Sequence, residues 1–264
     1  MSLFALPSAT YRAIARREVT TTLHNRFVQI FALVVWAGSV GVVVLSGRPE
    51  AVPFGLLLLM LYVVPLFGLL IGVSAAHEER DERAFLWSQP VPRASLLLGK
   101  TATLVGALAV VLLGTLGAGG VAGTPPGTLV LLWGLGVALV LVSVSAGVTV
   151  GQYTGGRARG LMAALVLWFG AFALYDALAL VASEVAVLQD LPGLWVGALL
   201  LNPVDAVRLA GLFGLDNVPF SAPGKAAWLT DLLAWLPVWV AGLTVGWTGG
   251  LLALACRRLR RTDL

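Results

Sequence analysis

The chain has 264 residues, 59% hydrophobic and 11% charged, with a formal net charge of +4. A soluble domain of ordinary composition carries roughly 25% charged residues, so this chain has too little polar surface to coat a globule in water. Its apolar residues run on for about 20 positions at a time instead of alternating, which predicts an all-α integral membrane protein.

One cysteine, Cys256, excludes an internal disulfide, and with only two histidines beside it a structural zinc site lacks ligands. The positive charge does not by itself point to nucleic acid, because its placement along the chain matters more than its sum.

Residues 8–26 come first. Pro7-Ser8 marks a helix start with Ser8 as N-cap. Tyr11, Ile14, Ala15, Val19 and Leu23 share one helical face, and Arg16, Arg17, Thr20 and His24 the other. This is an amphipathic interfacial helix with a basic side, suited to the headgroup plane. Glu18 and Thr22 interrupt its apolar face. Glu18 either pairs with a neighbouring arginine or meets a cytosolic partner.

Six transmembrane helices are expected, at about 27–46, 54–76, 96–122, 128–151, 161–182 and 232–255. Short connections make the first five neighbours in up-down order. The first run starts near Phe27 without a small-residue cleavage site after a short core, and reads as a retained span.

Lysines and arginines fix the orientation. Arg12, Arg16, Arg17, Arg26, Arg80, Arg83, Arg93, Lys100, Arg157, Arg159, Arg257, Arg258, Arg260 and Arg261 fall on one side, and only Arg48, Arg208 and Lys225 on the other. Both termini and the 77–93 stretch are therefore expected to be cytoplasmic.

That stretch, His77 to Arg93, is the one strongly charged insert between apolar runs, with Glu78, Glu79, Asp81 and Glu82 against Arg80, Arg83 and Arg93. Four acids on the inner side run against the basic bias of the other cytoplasmic loops. Residues 77–89 read as a handle that a soluble partner grips. Its acids set register and Phe85 and Leu86 supply an apolar anchor. The plainer alternative is a solvated helical turn with internal ion pairs.

The outer segment, 183–231, is long for a connection in a compact protein. Within it Asn202 reads as an N-cap, Pro203 as the first helical residue and Asp205 as a first-turn acid. Short helices lying on or dipping into the outer face are expected. A seventh span there would bury Asp205 and Arg208 at a few kcal/mol each.

Glycines recur at small-xxx-small spacing: Gly68 and Gly72, Gly156 and Gly160, and Gly242, Gly246 and Gly250. They signal close helix approach, either within the chain or, for the Gly242 series above all, at a dimer seam.

Catalytic chemistry is not legible. His24 and His77 fall in cytoplasmic segments, and no Ser–His–Asp or His–Glu–His set gathers at one depth. Gly99-Lys100-Thr101 resembles the tail of a phosphate loop, but Ala94 stands where that motif needs glycine. Only Asp176 lies within a span, near its outer end, which is thin support for ion coupling. A self-sufficient secondary transporter and a passive scaffold remain the rival readings.

Two motifs resemble a known family. Ala75-Ala76-His77-Glu78-Glu79, then Phe85-Leu86-Trp87-Ser88-Gln89-Pro90-Val91-Pro92-Arg93, then Leu97-Leu98-Gly99-Lys100 is similar to the coupling helix, Pro-Val-x-Arg turn and Leu-Gly-Lys opening of type-2 ABC exporter permease subunits. Ile14-Ala15-Arg16-Arg17-Glu18 looks like that family's connecting helix. The resemblance implies a type-2 ABC exporter fold in the bacterial inner membrane and a second copy of the chain. It also implies a cytosolic ATPase dimer that carries the ATP and Mg, so no cofactor in this chain. Arg17 and Glu18, with Glu78 to Arg83, Phe85 and Leu86, would then form the ATPase-coupling interface.

Leu201-Asn202-Pro203-Val204-Asp205-Ala206-Val207-Arg208-Leu209 resembles the Asn-Pro-x-Asp-x-x-Arg signature of NosY-type permeases. Those are membrane subunits of the ABC complex that helps mature the copper sites of nitrous oxide reductase. This narrower resemblance implies a periplasmic partner near Asn202, Pro203, Asp205 and Arg208. Three methionines, one cysteine and two histidines are scattered, so no copper-ligand set is expected here.

Overall fold

The computed structural model describes residues 22, 25–81, 93–183, 192–215 and 235–261. The described residues are helices joined by short turns, with no strand among them. The interfacial helix expected at 8–26 lies almost wholly outside them.

The first long helix, α1 (Arg26–Leu45), starts where Asn25 turns its side chain back to accept from the Phe27 N–H at 2.9 Å. A 3-10 turn at Pro49–Ala51 opens α2 (Val52–Asp81), whose 30 residues include Pro65. Next come α3 (Arg93–Val121) and α4 (Pro126–Tyr153). The fifth element is composite: α5 (Arg157–Phe169), a π-helical turn (Gly170–Leu174) and α6 (Tyr175–Ser183). Two short helices follow, α7 (Pro192–Leu201) and α8 (Pro203–Gly214), then α9 (Leu236–Arg261).

Five of these helices, α1, α2, α3, α4 and α9, are long and apolar enough to cross a membrane. The chain is thus an integral membrane protein with an all-helical architecture. The span expected at 161–182 differs in kind, because the π turn divides it into two α-helical pieces.

Burial within the bundle ranks the helices. The most apolar windows of α2 and α4 are each 61% buried, against 33% for α3, 22% for α1 and 17% for α9. The α2–α4 pair is therefore the centre and the others pack around it. Phe31, Leu56, Leu61, Leu108, Leu112 and Leu132 fill the space between them.

Glycine lets the central pair approach closely. A Cβ at Gly72 would stand 2.5 Å from the Val144 carbonyl oxygen, and one at Gly68 would strike the Ser143 side chain. This is the small-residue logic of helices in lipid, used within one chain. Polar side chains add ties between helices. Trp36 Nε1 donates to the Val111 carbonyl at 2.9 Å, Trp133 Nε1 to Ala109 at 3.0 Å, and Thr149 Oγ1 to Leu251 at 2.9 Å. Outward faces carry exposed Leu33, Val44, Met162, Val166, Val238 and Val245, as expected of surfaces that meet lipid tails.

Candidate functional sites at the two membrane faces

The face that the charge count predicts to be the inner one is built where α2 ends. The helix does not stop with the apolar run but continues unbroken through His77 to Asp81. The first residues of the expected coupling segment are thus the last turn of the central helix. His77 is 6% exposed, and its Nε2 lies 3.2 Å from Thr154 Oγ1 at the end of α4. Gly160 on α5 leaves the room: a Cβ there would meet Val73, Thr154 and the His77 ring. The sequence places His77 simply in a cytoplasmic segment, whereas packing has made it part of the α2–α4–α5 junction.

Glu78 sits beside it, with Oε1 3.8 Å from the Arg157 guanidinium and 3.5 Å from Asn25 Nδ2. Both charged side chains are substantially exposed, so this pair contributes little and is screened by salt. The Arg157 guanidinium also stands 5.8 Å from the Phe27 ring centroid, and that of Arg258 lies 5.5 Å from Tyr153. The inner ends of α1, α2, α4, α5 and α9 are thus gathered around the start of the charged segment. The side chains of Glu79, Arg80 and Asp81 lie outside the described residues. So do residues 82–92, with Glu82, Arg83, Phe85 and Leu86, and likewise Arg17 and Glu18. Gly99-Lys100-Thr101 lies within α3, where Thr101 Oγ1 donates to the Leu97 carbonyl at 2.8 Å; the segment is helix, not a phosphate cradle.

The opposite face, predicted by the same count to be the outer one, is built around Asn202. Its Oδ1 accepts from the Val204 N–H at 3.1 Å, capping α8, with Pro203 in the first turn. Its amide nitrogen donates to Asp205 Oδ2 at 2.7 Å and to the carbonyl of Ala171, in the π turn, at 2.9 Å. Arg208 lies one turn on. It meets Asp205 at 3.0 Å and Asp176 on α6 at 2.9 Å. Tyr175 adds a hydrogen bond from its hydroxyl to the Ala198 carbonyl of α7.

Asp205 is 3% exposed, so its carboxylate serves the chain's own network. Any influence on a partner must pass through that network rather than through direct contact. Burial raises the Asp205 pKa to about 6; the Arg208 charge pulls it down, Asp176 pushes it up, and the Asn202 amide lowers it. Arg208 bridges two carboxylates, and these contacts raise its pKa despite the opposing effect of burial.

The Asp205–Arg208 ion pair and the cap could be read from the Asn-Pro-x-Asp-x-x-Arg spacing. The Asp176 and Ala171 partners lie about 30 residues upstream and could not. Asp176 is, however, the one charged residue of the apolar run 161–182, a signal that could have prompted a search for its cation.

A third feature runs along α9. Gly242, Gly246 and Gly250 have no atom within 4 Å of where a Cβ would be. They floor a groove of about 910 Å³ walled by Trp239, Trp247, Leu200 and Leu201, with Arg257 at its inner end. Trp239 and Trp247 are fixed by donating to the Leu200 and Leu201 carbonyls at 3.0 and 3.2 Å. Gly68, Gly72 and Gly160, by contrast, face neighbours of the same chain. Among the described residues no group of three or more His, Cys, Asp or Glu side chains is placed to hold a metal ion.

No protein-family model matches the chain. It is 31% identical over 287 aligned positions to the "Probable ABC transporter permease protein NosY" of Pseudomonas aeruginosa, an alignment covering 95% of this chain and 98% of that protein.

Proposed function

The chain belongs to the family of NosY-like ABC transporter permeases, and from that membership we propose that it is the membrane subunit of a complex fuelled by a separate cytosolic ATPase dimer. The fold is of the type-2 exporter kind, with six spans, both ends inside, and a second copy of the chain completing the transmembrane unit. The composite α5–α6 helix supplies the remaining span.

The observation that carries the mechanism is the continuity of α2 into the charged segment. An ATPase gripping residues 77–89 would act on a segment whose first residues, 77–81, are the last turn of the central helix. Glu78 to Arg83 would set register against the ATPase, and Phe85 and Leu86 would fill an apolar pocket on it. Arg17 and Glu18 would border the same contact. Nucleotide-driven closure would bring two such helices together. Because α2 is packed against α4 through glycines, the push would travel through a stiff pair toward the outer face.

The outer face would pass this movement to a periplasmic protein docked on the 183–231 segment, which Asn202, Pro203, Asp205 and Arg208 shape from within. In this reading the process served is maturation of the copper sites of nitrous oxide reductase, with the copper ligands on other subunits. Export of an unrelated lipid, drug or small molecule is the second reading; the long outer segment favours the first. Two copies would meet along the Gly242–Gly246–Gly250 groove, whose open floor admits a facing helix.

The test is co-purification from membranes in mild detergent. Phe85→Asp should strip off the ATPase while the permease stays folded and membrane-bound. Glu78→Arg should do the same, although it also removes the Arg157 pair, so Arg157→Ala serves as its control. Full ATPase retention by both interface variants would contradict the coupling assignment.

A further inference from the structure

The fifth membrane element is divided, and its two parts are fastened to different neighbours. Below the π turn, α5 packs on α2, and Trp168 Nε1 donates to the Tyr62 carbonyl at 3.3 Å. Above the turn, α6 has no extensive backbone packing on any described helix of the bundle. Leu178, Leu180 and Val181 on it are exposed. Among the described side chains, three polar contacts tie this end to the helices that follow: Ala171 to Asn202, Tyr175 to Ala198 and Asp176 to Arg208. All three contacts reach the α7–α8 pair.

A π turn carries one residue more than the α-helix around it, so its hydrogen-bond ladder is irregular there and the helix can bend. Here the Asn202 amide takes up a carbonyl of that turn. Beside the turn lies a mostly apolar cavity of about 350 Å³, bounded by Pro65, Leu139, Ser143, Trp168, Ala171 and Asn202. Free volume next to an irregular turn is what a change of angle requires, since a filled core resists it.

We propose that Gly170–Leu174 is a hinge in the fifth span and that Asn202 is the positioning residue that locks it, so that α6 moves with the outer helix pair rather than with α5. The proposal rests on the functional reading above in one respect: movement started by the ATPase would reach the outer face through this joint. The hinge itself is a property of the chain alone.

The test uses the full-length chain alone, in lipid nanodiscs. Spin labels at exposed Met162 on α5 and Leu178 on α6 report the angle across the turn by pulsed electron resonance. Asn202→Ser removes the amide arm but keeps an oxygen that can cap α8; Asn202→Ala removes both. The unsubstituted chain should give one narrow distance distribution, and both variants a broadened or shifted one. Hydrogen exchange separates lock from cap. In Asn202→Ser, amides of 171–178 should exchange roughly fivefold faster, the factor expected from losing one buried hydrogen bond, while those of 204–206 stay protected. In Asn202→Ala both sets should loosen.

An unchanged distance distribution in both variants would overturn the hinge. Equal loosening of 171–178 and 204–206 in Asn202→Ser would reduce Asn202 to a helix cap. Because no ATPase is present, failure of the coupling reading would leave these results intact.

Discussion

The decisive residues around Asn202 form a charge network that runs from a buried acid to an exposed one. Asp205 is buried, Arg208 joins it to Asp176, and Asn202 fixes the geometry of all three elements. Removing the cation leaves an almost fully buried carboxylate without its counter-charge, a change that typically costs about 3–5 kcal/mol. Arg208→Ala should therefore unfold at a clearly lower temperature in detergent, and Asp205→Asn added to it should recover much of the loss. Recovery by Asp176→Asn but not by Asp205→Asn would mean that the exposed acid, not the buried one, governs the site.

The pH dependence has a definite sign. The Asp205 pKa is raised to about 6 in the folded chain from an ordinary carboxylate value of 3.8. The folded state therefore binds this proton more readily than the unfolded one. The contribution to stability is fully present below about 4 and is lost as pH rises through about 6. The penalty of Arg208→Ala should accordingly shrink between pH 7 and pH 5, measured as the difference in Tm from the unsubstituted chain.

At the scale of helices, identical glycine spacings serve opposite ends. Gly68 and Gly72 press α2 onto α4, whereas Gly242, Gly246 and Gly250 face a groove. Overpacking a tight contact costs typically about 1–3 kcal/mol, so Gly72→Val should lower yield and Tm of the single chain. Gly246→Leu should leave the chain's Tm nearly unchanged yet shift it from dimer to monomer in light scattering or cross-linking. A variant that stays dimeric would move the seam off α9.

Sequence spacing alone could not separate these two sets, because a small residue looks the same whether its neighbour belongs to its own chain or another. The composite fifth helix was illegible for a related reason. Gly170-Ala171-Phe172-Ala173-Leu174 is as apolar as the helix on either side and holds no proline, so nothing local marks the change of register. The cap of α8 was legible, because Asn202-Pro203 and the first-turn Asp205 act within four residues of one another.

For the whole molecule, composition and hydropathy settle that this is a helical membrane protein, and charge placement predicts which ends face inward. The ranking of helices by burial, with α2 and α4 at the centre, came only from packing, since all the apolar runs look alike in sequence. That ranking bears on the proposed coupling: the charged segment begins, at residues 77–81, as the last turn of one of the two most enclosed helices, where a push would have least freedom to dissipate. His77 shows the same limit in miniature. It reads as a cytoplasmic residue by position, yet it is enclosed where α2, α4 and α5 converge.

In the proposed complex a lever in the membrane is driven by an engine outside it. ATP turnover by the chain reconstituted in lipid, measured alone and then with the ATPase subunit that co-purifies with it, tests that arrangement most directly. No hydrolysis by the chain alone, with turnover in the complex that the permease stimulates and that loses this stimulation on Phe85→Asp, is the predicted result. Nucleotide hydrolysis by the purified chain alone, or turnover in the complex indifferent to the permease, would contradict it.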